Sequence, residues 1–282
     1  MKKILLATVF GLTAFSAQAQ EKVADSRSTT PMADMTNPFY ITERGFMLDS
    51  RIGYGREKLN ASINAPVRQT GYPFLTNAHS LKASETLTYG ITGTWAVYGS
   101  LGYDWTKKYG ASSFNEWDWT IGTKINTIED TWRVQIGADV TWSDYSKWKK
   151  VKNEDRKDTH LYLMAGTETG ENVFGYTRLD YHTVDFGSDR QFDSYDITGA
   201  LHITPSGTTT ADVGLRFGWD TLKGARSRDL TFLLGGYLSV YKNMALGLNA
   251  DYVLASSNNI KGYGSPDNQG AYSLELNVKY EF

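Results

Sequence analysis

The chain has 282 residues, a formal net charge of −2 and no cysteine. The lack of cysteine excludes disulfides, thiolate metal sites and cysteine nucleophiles, and the balanced charge argues against a nucleic-acid partner. Aromatic residues make up 13% of the chain, although its mean hydropathy is negative. This combination is typical of a sheet in which only alternate residues face lipid.

The N-terminus has the pattern of a secretory signal peptide. Lys2 and Lys3 precede an apolar run over 4–15, and Ala17-Gln18-Ala19 forms a small-x-small cleavage site. The run is too short to span a bilayer as a helix. We therefore predict a signal peptide over 1–19, cleaved after Ala19. Since no later run is long and apolar enough for a spanning helix, a membrane location requires a closed barrel.

Residues 20–45 are polar, lack alternation and contain Pro31 and Pro38. We predict that they form a periplasmic leader that is mostly unstructured or is tucked into the lumen of the following domain. The run Asn37-Pro38-Phe39-Tyr40 stands just before the first alternating segment, and the sequence assigns it no role.

From Phe46 onward, apolar and polar residues alternate in about twelve segments of the ~10 residues that a tilted membrane strand needs. The long connections between them fall at 55–81, 107–114, 143–158, 183–192, 221–228 and 255–270, and short ones alternate with these. We predict an all-β, transmembrane antiparallel barrel over 46–282, with short periplasmic turns, long extracellular loops and both termini in the periplasm. The predicted strands are 46–54, 82–92, 95–106, 115–125, 131–142, 159–168, 173–182, 193–204, 210–220, 229–239, 243–254 and 271–282.

Aromatic residues on the apolar phase gather at the two ends of these segments. Amphipathic rings prefer the headgroup level of a bilayer, so the pattern predicts two aromatic girdles. Their main members are Trp95, Trp105, Trp117, Trp119, Trp132, Trp142, Trp219, Tyr280 and Phe282.

The opposite phase carries many charged residues, which a dry core accepts only when they are paired. We predict that they line a lumen that holds water, a salt-bridged network or both. Acids outnumber bases among the polar residues of this phase, so an open lumen should weakly favour cations. The pore-lining candidates are Asp49, Arg51, Asp104, Asp118, Lys124, Arg133, Asp139, Arg178, Asp196, Asp212, Arg216, Asp251 and Glu275.

The last segment alternates strictly from Tyr272 and ends on Phe282, with Tyr280 two residues earlier. This ending resembles the C-terminal signature of bacterial outer-membrane barrels. With the girdles and the loop rhythm, the chain resembles the twelve-stranded, porin-like class of outer-membrane barrels in Gram-negative bacteria. The resemblance implies a location in the cell outer membrane, contact with its lipid and lipopolysaccharide, and recognition of the last strand by the barrel-assembly machinery.

That class includes sugar-acid porins, nucleoside channels, autotransporter translocators, a phospholipase and a lipid A deacylase, so it indicates the fold rather than the function. Arg51, Arg133, Arg178 and Arg216 are interleaved with acids, which argues against a porin for anionic sugars. We predict passive diffusion of small hydrophilic solutes through a narrow, mildly cation-favouring lumen. The alternative is a non-conducting adhesin or envelope-structural barrel that binds partners through its loops.

A third alternative is a hydrolase at the rim. His160, Asp180 and His182 should meet across the hairpin around 169–172, and an Asp–His pair there would resemble the omptin proteases. Histidines that merely bond to acids are the more common case, so we assign no catalytic residue, no metal ligand and no cofactor.

The basic cluster in the 143–158 loop either binds lipopolysaccharide phosphates or is a solvated face. Twelve strands leave open whether the lumen is filled.

Overall fold

The computed structural model describes residues 35–57, 78–108, 114–129, 132–145, 156–185, 191–222, 225–260 and 269–282. The predicted signal peptide over 1–19, the leader up to residue 34 and parts of all six predicted long loops lie outside the described residues. Among the described residues, no helix is long and apolar enough to cross a membrane.

The described chain forms twelve β-strands, as the alternating segments predicted. Several strands extend past their predicted ends, because backbone pairing continues where the apolar alternation has stopped. The strands are β1 Phe46–Glu57, β2 Ala78–Thr92, β3 Trp95–Lys108, β4 Phe114–Glu129, β5 Trp132–Tyr145, β6 Arg156–Gly170, β7 Val173–Asp185, β8 Gln191–Ser206, β9 Thr209–Leu222, β10 Ala225–Tyr241, β11 Met244–Ile260 and β12 Tyr272–Glu281.

The sheet is a closed antiparallel barrel in which each strand pairs with its neighbours in the chain and β1 pairs with β12. Met47 lies opposite Glu281 and Arg56 lies opposite Tyr272 along this closing seam. Closure pairs every strand on both sides, which is the condition for a sheet to lie in lipid. We call the end that holds Phe46 and Phe282 the turn end, and the opposite end the loop end.

The outer surface of the barrel is apolar. Ile121 and Ile136 are 66% and 61% exposed, and Leu276 is 52% exposed. A continuous belt of exposed leucine, isoleucine and aromatic side chains would be unfavourable in water but is suited to lipid. The fold is therefore a transmembrane antiparallel barrel of twelve strands, and the predicted fold class is confirmed.

The last residues of the predicted leader lie inside the barrel at its turn end. Met35 and Phe39 are 2% and 3% exposed, and Thr42 is 4% exposed. Met35 packs against Met47 and Tyr237 of the wall. The segment 35–44, which we call the plug, thus occupies the part of the lumen from which β1 begins.

Candidate functional site

The plug is shaped by a tight turn over Asn37-Pro38-Phe39-Tyr40. The backbone N–H of Tyr40 donates to the carbonyl oxygen of Asn37 at 3.0 Å, and the N–H of Phe39 donates to the Asn37 side-chain oxygen at 2.9 Å. Asparagine at the first turn position and proline at the second favour this conformation. The turn therefore gives a structural role to the run that the sequence left without one.

The turn directs Phe39 into an aromatic cluster on one side of the lumen. The ring of Phe39 lies 5.4 Å from that of Phe174 in an edge-to-face arrangement, and 6.5 Å from that of Tyr176. Tyr162 and Met164 complete the buried cluster. Each such ring pair stabilises the structure by roughly 0.5–1.5 kcal/mol beyond the contribution of its buried surface. The plug is thus anchored to β6 and β7.

The opposite side of the plug is held by polar contacts with the closing seam. The hydroxyl of Tyr40 donates to Glu281 Oε1 at 2.7 Å, and the hydroxyl of Thr42 donates to the same oxygen. A Cβ at Gly90 would lie 1.5 Å from the carbonyl oxygen of Thr42, so only glycine lets the plug approach β2 this closely. Since β12 and β6 lie across the barrel from each other in strand order, the plug spans the lumen.

A chain of buried amide and hydroxyl groups links the plug to the middle of the wall. Asn126 donates from its side-chain amide to the carbonyl oxygen of Phe39. Gln135 donates to Asn126 Oδ1 at 2.6 Å, and the Tyr162 hydroxyl donates to Gln135 Oε1 at 2.8 Å. Satisfied buried networks of this kind fix one arrangement of side chains.

A cluster centred on His160 lies nearer the loop end. His160 Nδ1 is 2.9 Å from Asp139 Oδ2, and its Nε2 is 2.8 Å from Asp180 Oδ1. The Tyr98 hydroxyl donates to the same oxygen of Asp139 at 2.6 Å. Because carboxylates accept hydrogen bonds, this arrangement fits a ring that carries a proton on each nitrogen. His160 lies directly opposite His182 on β7, and the two rings stack with centroids 4.0 Å apart.

Arg178 joins the cluster to the network beside the plug. Its Nε donates to Asp180 Oδ1 at 2.7 Å, and its guanidinium carbon lies 4.2 Å from the centre of the Tyr162 ring. Hydrogen-bonded side chains of the described residues therefore occupy the side of the lumen formed by β3–β7.

A cavity of about 390 Å³ remains beside the wall of β8–β12 and β1, and Thr36 and Pro38 of the plug also line it. Arg216 Nη2 lies 3.6 Å from Asp251 Oδ2 across the strands, and Arg51 Nη1 lies 3.5 Å from Glu275 Oε1. Acids and bases are balanced along this cavity. Its charged lining residues are Arg51, Arg216, Lys279, Asp212, Asp251 and Glu275.

Two carboxylates crowd over Gly218 in the loop half of the same wall. A Cβ there would lie 2.6 Å from Asp196 Oδ1 and 2.7 Å from Asp229 Oδ1. Asp196 and Asp229 pair with position 218 from its two sides. Glycine leaves room for both acids above the cavity. We call these two residues the acid pair.

The remaining pore-lining candidates lie on the same interior phase. Asp49 Oδ2 forms an ion pair with Arg51 Nη2 at 2.7 Å, and Asp104 Oδ2 lies 3.3 Å from Lys82 Nζ. Asp118 accepts a hydrogen bond from Ser143. Three further candidates remain. Asp212 Oδ1 lies 2.8 Å from His202 Nδ1, Arg133 lies over the Phe174 ring, and Lys124 is half-buried.

The predicted girdle residues have their rings on the outer phase. Trp132 is 57% exposed and Trp119 is 47% exposed. Tyr280 differs, because it is 8% exposed and its ring stacks against that of Phe282 at 5.6 Å. The other members are exposed or half-buried: Trp95, Trp105, Trp117, Trp142, Trp219 and Phe282.

An acid also lies at mid-height on the outer phase. Glu85 occupies the middle of β2, between the exposed residues Leu81 and Leu87. The Ser50 hydroxyl donates to its Oε2. This residue is exceptional on a surface that otherwise faces lipid.

No protein-family model matches the sequence, and no curated protein matches it significantly. The structure is similar to the COG4313 outer membrane channel from Pseudomonas putida F1, with a TM-score of 0.63 and 14% identity over 87% of this chain and 98% of that one. It is also similar to the β domain of the Bordetella autotransporter BrkA, with a TM-score of 0.54 and 11% identity over 85% of this chain and 100% of that one. The chain thus has the fold of twelve-stranded outer-membrane barrels.

Proposed function

We propose that the protein is an outer-membrane channel for the passive diffusion of small hydrophilic solutes, and that the plug closes its periplasmic mouth. The observation that carries the proposal is the cavity of about 390 Å³, which is lined by charged side chains and bounded below by the plug. A lumen that serves only stability would gain more from close packing than from a polar space. In this proposal the turn end is periplasmic and the loop end is extracellular.

The plug is the movable part of the passage. Its hydrogen bonds to Glu281 can be exchanged for bonds to water at a moderate cost in free energy, whereas the strand pairs of the barrel could not separate without exposing backbone groups to lipid. Displacement of the plug would join the cavity to the turn end. The acid pair stands above the cavity, so it would concentrate cations at the entrance and give the mild cation preference.

The similarity to the Pseudomonas putida channel supports this proposal as an analogy of fold. The same proposal includes contact of the basic 143–158 loop with lipopolysaccharide and recognition of β12 by the barrel-assembly machinery.

A non-conducting surface or envelope-structural barrel is the second candidate. The filled side of the lumen favours it, because the network from Tyr98 to Arg178 blocks the region beside β3–β7.

A hydrolase at the rim is less favoured than either of these two functions. Both ring nitrogens of His160 are held by carboxylates, whereas a general base needs a free nitrogen facing the substrate.

Single-channel recording in a planar bilayer with a salt gradient distinguishes the first two candidates. We expect brief openings for the refolded full barrel and sustained openings for a variant that lacks residues 35–44. A cation-selective reversal potential would support the role of the acid pair. If both proteins are silent although heat-modifiability shows that they are folded, the diffusion proposal is wrong and the loops become the subject of study.

A further inference from the structure

We propose that His160, Asp180 and His182 bind one divalent transition-metal ion, of the class of Zn²⁺, inside the lumen. One potential ligand atom from each residue lies within 4.8 Å of the other two. The antiparallel pairing of β6 and β7 brings them together, because His160 is directly opposite His182 and Asp180 lies two residues away on the same face. This proposal does not depend on conduction.

The distances require little movement. A tetrahedral ion with bonds of 2.0–2.1 Å separates its ligand atoms by roughly 3.3 Å. His160 Nε2 and Asp180 Oδ1 are already 2.8 Å apart, so these two need to separate slightly while His182 approaches. Because the two rings are parallel and stacked, binding requires His182 to rotate about its side-chain torsions until its Nε2 faces the ion.

Each histidine also has a carboxylate that orients it. Asp139 holds His160 at Nδ1, and Asp158 lies 3.4 Å from His182 Nδ1. The Nε2 atoms are therefore the ones offered to an ion. Carboxylates that bind the far nitrogen of a ligating histidine are the usual support of such sites, because they fix the ring and raise its basicity.

The charge balance is compatible with binding. The ion would take the place of the proton between His160 Nε2 and Asp180 Oδ1, and this proton would leave to solvent. Arg178 can keep its bond to Asp180, since one carboxylate accepts about four hydrogen bonds. Asp139, Asp158 and Asp180 supply negative charge around the ion. Three protein ligands leave the fourth position to water from the lumen.

The ligand set selects the class of ion. Imidazole suits Zn²⁺, Cu²⁺ and Ni²⁺, whereas Ca²⁺ and Mg²⁺ require sites made of oxygen ligands. An ion-pair cluster alone would account for Asp139, His160 and Asp180, whereas the described contacts of the second imidazole include its stacking on the first and a 3.4 Å approach to Asp158. The metal site gives that imidazole a bonding role.

The test is Zn²⁺ binding to the full refolded barrel in detergent, measured by competition with a chromophoric chelator. We expect one ion per chain and an affinity loss of at least about tenfold for His182→Ala. The matched control is His202→Gln, because His202 also bonds to an aspartate of the lumen wall but has no second histidine beside it. The control should bind Zn²⁺ like the unaltered protein.

His182→Gln serves as a second variant, since it keeps a polar side chain of similar size if His182→Ala fails to fold. Co²⁺ should give the intense visible absorption of a tetrahedral site in the unaltered barrel but not in either His182 variant. Asp139→Asn should weaken binding by about tenfold, as expected for a positioning residue. Equal Zn²⁺ affinity in the unaltered protein and the folded His182 variants would overturn the proposal, as would the absence of a bound ion in the unaltered barrel.

Discussion

The hydroxyl of Tyr40 donates a hydrogen bond of 2.7 Å to Glu281, a residue 241 positions later in the chain. Thr42 donates to the same oxygen. One carboxylate at the end of β12 therefore accepts hydrogen bonds from two hydroxyls of the plug. Bonds to a charged acceptor contribute roughly 1.5–3 kcal/mol each, so Glu281 is the main polar anchor of the plug.

Replacing Glu281 with Ala should lengthen channel openings. The free energy of the two lost hydrogen bonds exceeds the 1.4 kcal/mol that corresponds to about a tenfold change in an equilibrium. We therefore expect the open probability to rise at least about tenfold. Single-channel recording measures it. The control is Glu168→Ala, which removes an exposed acid at the same end of the barrel. An unchanged open probability in Glu281→Ala would show that the plug does not gate the lumen.

Gly90→Ala should expel the plug, because the added methyl group would overlap the carbonyl oxygen of Thr42. We expect a protease specific for aromatic residues to cut at Phe39 or Tyr40 in the variant, while these sites stay protected in the unaltered barrel. Mass spectrometry of the fragments gives the result. Gly93→Ala is the matched control, since a Cβ at Gly93 meets no atom within 4 Å. Equal protection in both variants would argue against close contact between the plug and β2.

Neutralising the acid pair should reduce cation preference. With Asp196→Asn and Asp229→Asn combined, we expect the ratio of cation to anion permeability to fall by about twofold, because less negative potential remains above the cavity. The reversal potential in a salt gradient measures this ratio. Asp193→Asn is the control, because Asp193 lies on the outer phase of the same strand and accepts a hydrogen bond from Tyr181. A ratio that falls equally in the control would assign the preference to general surface charge.

Glu85→Leu should stabilise the barrel in lipid. The acid lies at mid-height on the lipid-facing phase, where a charged side chain is unfavourable, and leucine should add roughly 1–2 kcal/mol to the free energy of unfolding. Urea titration of the protein folded into vesicles measures this value. Glu85→Gln separates the effects, since it removes the charge and can keep the bond from Ser50. A less stable Glu85→Leu barrel would indicate that the acid has a partner within the membrane.

The strands were predictable because each one carries its own signal. In β12, Leu274 and Leu276 are exposed on the outside, while Glu275 lines the cavity, as the alternation indicated. The pairing of His160 with His182 was also within reach, since a two-residue turn at 171–172 joins their strands and a short turn fixes the register.

The bond between His160 and Asp139 was not predictable in this way. A long connection joins β5 to β6, and its length gives no register. The plug was harder still, because Phe39 belongs to a segment without periodicity and packs on Phe174, far away in the chain. Tyr280 likewise carries the girdle pattern, but its low exposure depends on how Phe282 stacks on it. The contact of Phe39 with Phe174 joins segments far apart in the chain and is absent from local sequence patterns, whereas the stacking of Tyr280 on Phe282 depends on side-chain conformations that the alternation does not specify.

The closing seam also imposes an order in time. Phe46 and Phe282 exchange two backbone hydrogen bonds, each of 2.9 Å, and Glu281 stands beside them. Until the last-made strand has docked onto the first, the anchor for Tyr40 and Thr42 is not in place. Phe39 can pack on β6 and β7 before closure, but the polar anchor of the plug forms only when the ring has been completed.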